Sequence, residues 1–258
     1  MGKVYIVGAG PGDPDLITIK ASKCIQNADV IFYDRLVNSE LLTLAKKETE
    51  LVYCGKSPNK HFMKQETIHQ LLVKYAEQGK NVVRLKGGDP YVFGRGAEEA
   101  IALASNGIEY EVIPGVTAGL AVPLNVDIPV TYRETSRSFA MVTGHSITGE
   151  PTEVDWKGLA RSVDTLAIYM GMRNLSFIIC QLLKAGKKST TPIAIIQNGT
   201  TTHEVVIVGT LATIEKQVVS KHVRNPAIII IGEVVKIHEQ LLQLKAMNRY
   251  IESRAIEA

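Results

Sequence analysis

Nothing in this sequence is arranged to pair cysteines. The three that occur, Cys24, Cys54 and Cys180, are odd in number and widely spaced, and no C-x-x-C is present. This speaks against a disulfide framework and a zinc knuckle, and predicts buried or incidental thiols in a reducing cytosol. The 6 histidines are scattered with no H-x-x-x-H pair, so no metal site is expected. Long apolar runs are missing, since none approaches the roughly 20 residues that a membrane helix needs. The start of the chain runs directly into Lys3-Val4-Tyr5-Ile6-Val7-Gly8, which reads as a first strand and not as a signal peptide. Charge of one sign is missing too. Lys and Arg number 29 against 26 Asp and Glu, for a net +3 spread along the chain. A nucleic-acid binder would carry a concentrated basic stripe. The expectation is a cytoplasmic protein with no nucleic-acid partner and no membrane partner. G-x-S-x-G elbows, Walker loops, internal repeats and low-complexity tracts are absent as well.

What is present fits a globular chain with a substantial core: 45% hydrophobic and 21% charged residues. Its 258 residues suit one large domain or two ordinary ones. Short β-rich segments at Val4–Val7, Val30–Tyr33, Leu51–Cys54, Val82–Leu85 and Tyr110–Ile113 alternate with helical patterns. Ile68, Leu71, Leu72 and Tyr75 share one helix face, and Gly79 stands where a C-cap belongs. Glu98–Leu103 before Asn106-Gly107 has the same form. Such alternation predicts an α/β fold with a mostly parallel sheet covered by helices on both faces.

After Pro114-Gly115 a short apolar helix is expected over Thr117–Val126, and the domain crossover is placed here. A second block has strands near Phe139–Val142, Thr165–Tyr169, Pro192–Gln197, Glu204–Val208 and Ala227–Ile231. Helices are expected at Leu175–Leu183 and Leu211–Val219. Asn198-Gly199-Thr200 suggests some antiparallel pairing. The division expected is 1–115, 116–242 and a charged, helical tail over 243–258.

Several loops carry candidate chemistry. Gly8-Ala9-Gly10-Pro11-Gly12-Asp13 follows the first strand, but lacks the third glycine of a dinucleotide fingerprint. A tight turn or a ligand-lining loop both remain open. Gly87-Gly88-Asp89-Pro90 exposes main chain at another strand end, and Asp89 offers a carboxylate to an amine or a ribose hydroxyl; a plain β-turn is the bland alternative. At the end of strand two, Asp34 and Arg35 read either as a solvated loop pair or as a cleft carboxylate beside an anion-binding arginine. Neighbours on a strand face opposite ways, so these two need not pair. Lys56, Lys60, Arg95, Arg133, Arg137 and His145 add positive groups. Met170, in Tyr169-Met170-Gly171-Met172, is either core or the lining of an apolar pocket.

Taken in order, GAGPGDPDLIT, ADVIFYDRLV, VVRLKGGDPYVFGRG, VIPGVTA, VTGH, YMGM and NGT resemble the tetrapyrrole C-methylases over nearly the whole chain, from Val4 to about Val235. YDRL with a following GK, and GGDPYVFGRG, look most like members that act on uroporphyrinogen III. The resemblance implies two α/β domains with the cofactor in the cleft between them, and a homodimer. It implies two S-adenosylmethionine-dependent methylations, at C2 and C7, giving precorrin-2 for sirohaem or cobalamin synthesis and S-adenosylhomocysteine as by-product. It implies cofactor contacts at Pro11, Gly87, Gly88, Asp89, Val92, Thr117, Ala118, Met170 and Gly199. It further implies a catalytic carboxylate at Asp34, a proton-handling lysine at Lys56 and Arg35 near the substrate. The implied substrate carries eight carboxylates, for which Arg35, Lys60, Arg95, Arg133 and Arg137 are candidates. The chain departs from many relatives at Thr131-Tyr132-Arg133 and at Ser57-Pro58-Asn59, which bears on the carboxylate contacts. Rival readings are a methylase of the same frame with another substrate, a non-catalytic tetrapyrrole or nucleotide binder, and a nicotinamide oxidoreductase.

Overall fold

The computed structural model describes residues 2–55, 63–145 and 153–256. The chain divides into two units, Met1–Ala118 and Gly119–Ala258, each built on its own sheet.

The first unit runs β1 (Val4–Gly8), α1 (Ile19–Gln26), β2 (Val30–Tyr33), β3 (Glu50–Tyr53), α2 (Gln65–Glu77), β4 (Val82–Lys86), α3 (Gly96–Ser105) and β5 (Tyr110–Ile113). Short 3-10 turns at Pro14–Leu16 and Ser39–Leu44 complete it. The sheet order is β3-β2-β4-β1-β5, and every pairing is parallel. Side chains alternate across a sheet, so the central strands β1, β2 and β4 each feed two cores. Val4, Ile6, Val30, Phe32 and Val82 pack on Ile68, Leu72 and Ala76 of α2 and on Ala100 and Leu103 of α3. Val7, Ile31, Val83, Leu85 and Ile113 pack on Ala21 and Ile25 of α1 and on Leu41. Gly79 and Gly107 lie just beyond the ends of α2 and α3 with φ of 81° and 68°, a left-handed geometry that suits glycine.

The path of the chain defines a ligand-prone edge. β1 leads over one face, past β4, to β2; β4 leads over the other face, past β1, to β5. Where neighbouring parallel strands send their connections opposite ways, a crevice opens at the carboxyl ends. Here that edge lies between β1 and β4.

In the second unit, α4 (Ala118–Asn125) is followed by β6 (Phe139–Thr143), α5 (Trp156–Ser162), β7 (Thr165–Tyr169), α6 (Leu175–Lys184), β8 (Pro192–Gln197), β9 (Val205–Thr210), α7 (Ile214–Ser220), β10 (Ala227–Ile231) and α8 (Val235–Ile256). The order is β6-β7-β10-β8-β9. Only β6 and β7 run parallel; the other pairings are antiparallel. β10 is the central strand, which accounts for its unbroken isoleucine run, buried from Ile228 to Ile231. Leu166, Ile168, Ile193, Ile195 and Ile229 pack on Leu175, Ile178 and Leu182 of α6 and on Ile214.

Some expected bounds shift. The helix expected from Leu211 begins at Ile214, because β9 continues to Thr210 and Thr213 Oγ1 then accepts the Thr210 N–H at 3.0 Å. The pairing expected around Asn198-Gly199-Thr200 is the β8–β9 hairpin. Helices α1 and α5 carry no expectation from the sequence. Among the described residues no helix is long and apolar enough to cross a membrane.

Candidate functional site

At the carboxyl edge of the first sheet three strand exits meet: main chain stitches β1 to β4, and a side chain holds β5 to them. Ala9 N–H donates to the Lys86 carbonyl at 2.8 Å. Gly10 and Gly88 exchange two bonds, 3.2 and 2.7 Å long. Glycine is needed here for distance. A Cβ on Gly8 would lie 2.5 Å from the Gly115 nitrogen, and one on Gly115 would lie 2.2 Å from the Gly88 oxygen. Gly10 and Gly88 also hold φ of 79° and 69°. Asp89 locks this floor: one carboxylate oxygen accepts Tyr91 N–H at 2.8 Å and the other accepts Gly115 N–H at 3.1 Å. The turn geometry of Asp89 is therefore real, and each of its oxygens keeps a further lone pair. The glycines at 94 and 96 have a packing reason, since a Cβ on either would meet the Pro90 oxygen at 2.6 Å.

Beside this floor stands a group of charges. Arg84, Lys86 and Glu99 have side chains 2%, 5% and 0% exposed. Arg84 and Lys86 lie two apart on β4 and face α3, which brings Glu99 to them. Glu99 Oε1 accepts from Arg84 Nε at 3.0 Å, from Lys86 Nζ at 2.9 Å and from Gln65 Nε2 at 2.9 Å. Arg84 Nη2 reaches on to Asp34 Oδ2 at 2.7 Å. Asp34, at the end of β2, is one-third exposed. Its partner is thus a buried arginine 50 positions away, which corrects the reading of Asp34 and Arg35 as a solvated loop pair. Burial pulls down on the Arg84 guanidinium, but Glu99 and Asp34 together raise it above its ordinary value. Burial and the adjacent Arg84 charge lower Lys86, with Glu99 offsetting part of this. Burial pushes Glu99 up, and Arg84 and Lys86 outweigh it, holding the carboxyl below its usual range.

The second unit presents its own edge. β7 and β8 both pair antiparallel with β10, and Tyr169 and Ile196 both stand opposite Ile228. Their carboxyl ends therefore share one side of the sheet. Met170 follows β7 with φ of 54° and 40% exposure, an unusual conformation for an unbranched side chain. Gly199 is buried against α4, where a Cβ would come 2.4 Å from Val122 Cγ1. Gly119 N–H donates to Tyr169 Oη at 2.5 Å, tying the first turn of α4 to the end of β7.

The expected site residues separate into groups. Half-buried Pro11, Gly87, Gly88 and Asp89 lie along the first floor, with buried Thr117 beside Gly88. Val92 lies half-buried on the loop that follows Asp89. Ala118 opens α4, and Met170 and Gly199 lie on the second edge. Arg35 and Arg133 are exposed. Arg95 is exposed and paired with Glu98, at 2.9 and 2.6 Å. Arg137 precedes β6, at the opposite sheet edge from Met170, roughly 20 Å away at about 3.3 Å per strand residue. Lys56 and Lys60 lie outside the described residues. The sequence reading missed Arg84, Lys86 and Glu99. A signal existed: Val82-Val83-Arg84-Leu85-Lys86 puts two charges on one face of an otherwise apolar central strand.

The family of tetrapyrrole (corrin/porphyrin) methylases matches residues 3–215. The uroporphyrinogen-III C-methyltransferase of Priestia megaterium is 57% identical over 91% of this chain and 99% of its own length. Among solved structures, uroporphyrin-III C-methyl transferase from Thermus thermophilus, in complex with S-adenyl homocysteine, superposes with a TM-score of 0.79. It is 42% identical over 92% of this chain and 100% of that one. A cobalt precorrin-4 methyltransferase superposes with a TM-score of 0.81 at 26% identity, over 90% and 95% of the two chains.

Proposed function

The chain belongs to the tetrapyrrole (corrin/porphyrin) methylases, and from that premise we propose that it transfers methyl groups from S-adenosylmethionine to uroporphyrinogen III. The products are precorrin-2, methylated at C2 and C7 for sirohaem or cobalamin synthesis, and S-adenosylhomocysteine. The observation that carries the reading is a carboxylate, Asp34, held at the ligand-prone sheet edge by a buried arginine beside a floor of bare main chain.

The residues present fit the methyl donor. Glycines at 87 and 88 leave main chain open to close approach, Asp89 retains acceptor capacity for an amine or ribose hydroxyl, and Met170 presents an exposed thioether. We assign cofactor contacts to Pro11, Gly87, Gly88, Asp89, Val92, Thr117, Ala118, Met170 and Gly199. When bound, the sulfonium supplies an already electrophilic methyl, so the chain need only place and neutralise. Positioning must bring a pyrrole carbon to about 3 Å, in line with the breaking bond. Positive charge then builds on the ring, and the Asp34 side chain stabilises it or accepts the departing proton. Lys56 handles a proton elsewhere on the macrocycle. Arg35 and Arg133, exposed at the surface, meet substrate carboxylates through bidentate contact, with Lys60 and Arg95 as further candidates. Arg137 drops out of this set because it stands at the far edge of its sheet. We place the working enzyme in the cytoplasm as a homodimer.

The test is anaerobic incubation with S-adenosylmethionine and enzymatically generated uroporphyrinogen III, followed by mass spectrometry of the tetrapyrrole. The expected gain is two methyl groups, about 28 Da. No gain from a protein that binds the donor would move the substrate to a later precorrin, since a cobalt precorrin-4 methyltransferase has a comparable fold. Asp34→Asn is expected to lower turnover on the order of 100-fold while donor affinity, read by calorimetry, stays put.

A further inference from the structure

The buried charges around Arg84 do not balance by themselves. Arg84 and Lys86 contribute two positive charges and Glu99 one negative. Among the described residues, the remaining carboxylate within ion-pair distance is Asp34. Asp34 supplies the second carboxylate opposite the two cations. Nor is Arg84 free to do anything else. Its Nε is held by Glu99, its Nη2 by Asp34, and its Nη1 lies 3.4 and 3.3 Å from the carbonyls of Phe32 and Leu85. A guanidinium held on three sides and 2% exposed cannot swing out to meet a substrate. Glu99 is fixed in turn by three donors on Oε1, while no described residue donates to its buried Oε2. Apolar residues would fill such a volume at equal or lower cost to stability, so stability is a poor reason for a buried ion network. Among the described charged groups of the network, Asp34 alone is partly exposed, at one-third.

We propose that Arg84, anchored by Glu99 and Lys86, is the positioning residue that fixes the orientation of the Asp34 carboxylate for methyl transfer. The proposal rests on Asp34 being the catalytic carboxylate. Arg84 touches neither substrate nor donor; it acts through Asp34, and Glu99 acts through Arg84. A fixed carboxylate meets developing charge without reorganising, whereas a free one must first be ordered.

The test is a double-mutant cycle. Arg84→Lys keeps the charge and loses the planar fork; Arg84→Gln loses both. Each is made alone and with Asp34→Asn. Turnover, affinity for S-adenosylhomocysteine and melting temperature are read for every variant, and the Arg84→Lys enzyme is crystallised. Turnover of the Arg84 variants is expected to fall on the order of 100-fold, as for a misplaced catalytic group, with S-adenosylhomocysteine affinity unchanged. In the Asp34→Asn background neither substitution should cost anything further, because a group acting only through Asp34 has nothing left to act on. An equal loss in both backgrounds overturns the proposal, as does a loss of S-adenosylhomocysteine binding in step with turnover. Should Arg84→Gln fail to fold, Arg84→Lys carries the cycle. If the wild-type protein leaves uroporphyrinogen III unmethylated, the substrate assignment has failed separately. The Arg84→Lys crystal structure then decides: a displaced Asp34 carboxylate supports the proposal, and an unmoved one overturns it.

Discussion

A methyl group decides the fate of the glycine floor. Any side chain at position 115 must sit where the Gly88 carbonyl oxygen already lies, 2.2 Å from the new carbon. Gly115→Ala is therefore expected to push the β5 exit away from the β4 exit, at an overpacking cost of about 1–3 kcal/mol. Urea denaturation reads that cost, and calorimetry should show weakened S-adenosylmethionine binding at the same time. An alanine variant with wild-type stability would mean that the loops separate freely. The thiols give a second check at this scale. Cys54 is 2% exposed, and burial, aided by Asp34 and Glu99, pushes its thiol up to about 11. At pH 8 a maleimide should label exposed Cys180 before Cys54. The glycines at 87 and 88 and the carboxylates at 34 and 89 are legible in the sequence, because strand ends and turn residues announce themselves locally. The Asp34–Arg84 pair is not. It joins residues 50 apart, and only the order β2-β4 makes Phe32 and Arg84 neighbours.

Whole elements are readable where burial imposes a period. β10 and β4 stand out because both faces of a central strand are covered, and α2 because its stripe recurs every three or four residues. α1 does not stand out, since only Ala21 and Ile25 of its eight residues are buried. Its start is marked instead by a cap, with Thr18 Oγ1 accepting the Ala21 N–H at 3.2 Å. Between elements, one carboxylate joins the entrances of β6 and β7. Asp164 Oδ2 accepts the N–H groups of Arg137 and Ser138 at 2.8 and 3.1 Å and the Ser138 hydroxyl at 2.9 Å. The Arg137 amide, then the Ser138 hydroxyl, hold this acid below its ordinary 3.8. A depressed acid stabilises the fold above its unfolded value and loses that contribution as pH falls through the folded one. Asp164→Asn should thus lower the urea midpoint at pH 7, and the gap from wild type should close as pH drops below 3.8. A gap that persists in acid would assign the effect to packing and not to charge.

The molecule as a whole carries +3, a small excess facing a substrate of eight carboxylates. Exposed charges are screened over about 10 Å at 0.1 M salt. With Arg35 and Arg133 at the surface, raising ionic strength should lower kcat/KM chiefly through KM. A salt-independent KM would place the carboxylate contacts in a site closed to solvent. The order of the first sheet also has a consequence for synthesis. β1 precedes both of its neighbours among the described strands, β4 and β5, along the chain. At about 5–20 residues per second, Val4–Gly8 waits several seconds for Val82–Lys86 to appear. During that interval an apolar strand has no partner for either edge, so the strand that later carries the glycine floor is the one whose pairing depends on chain still to be made.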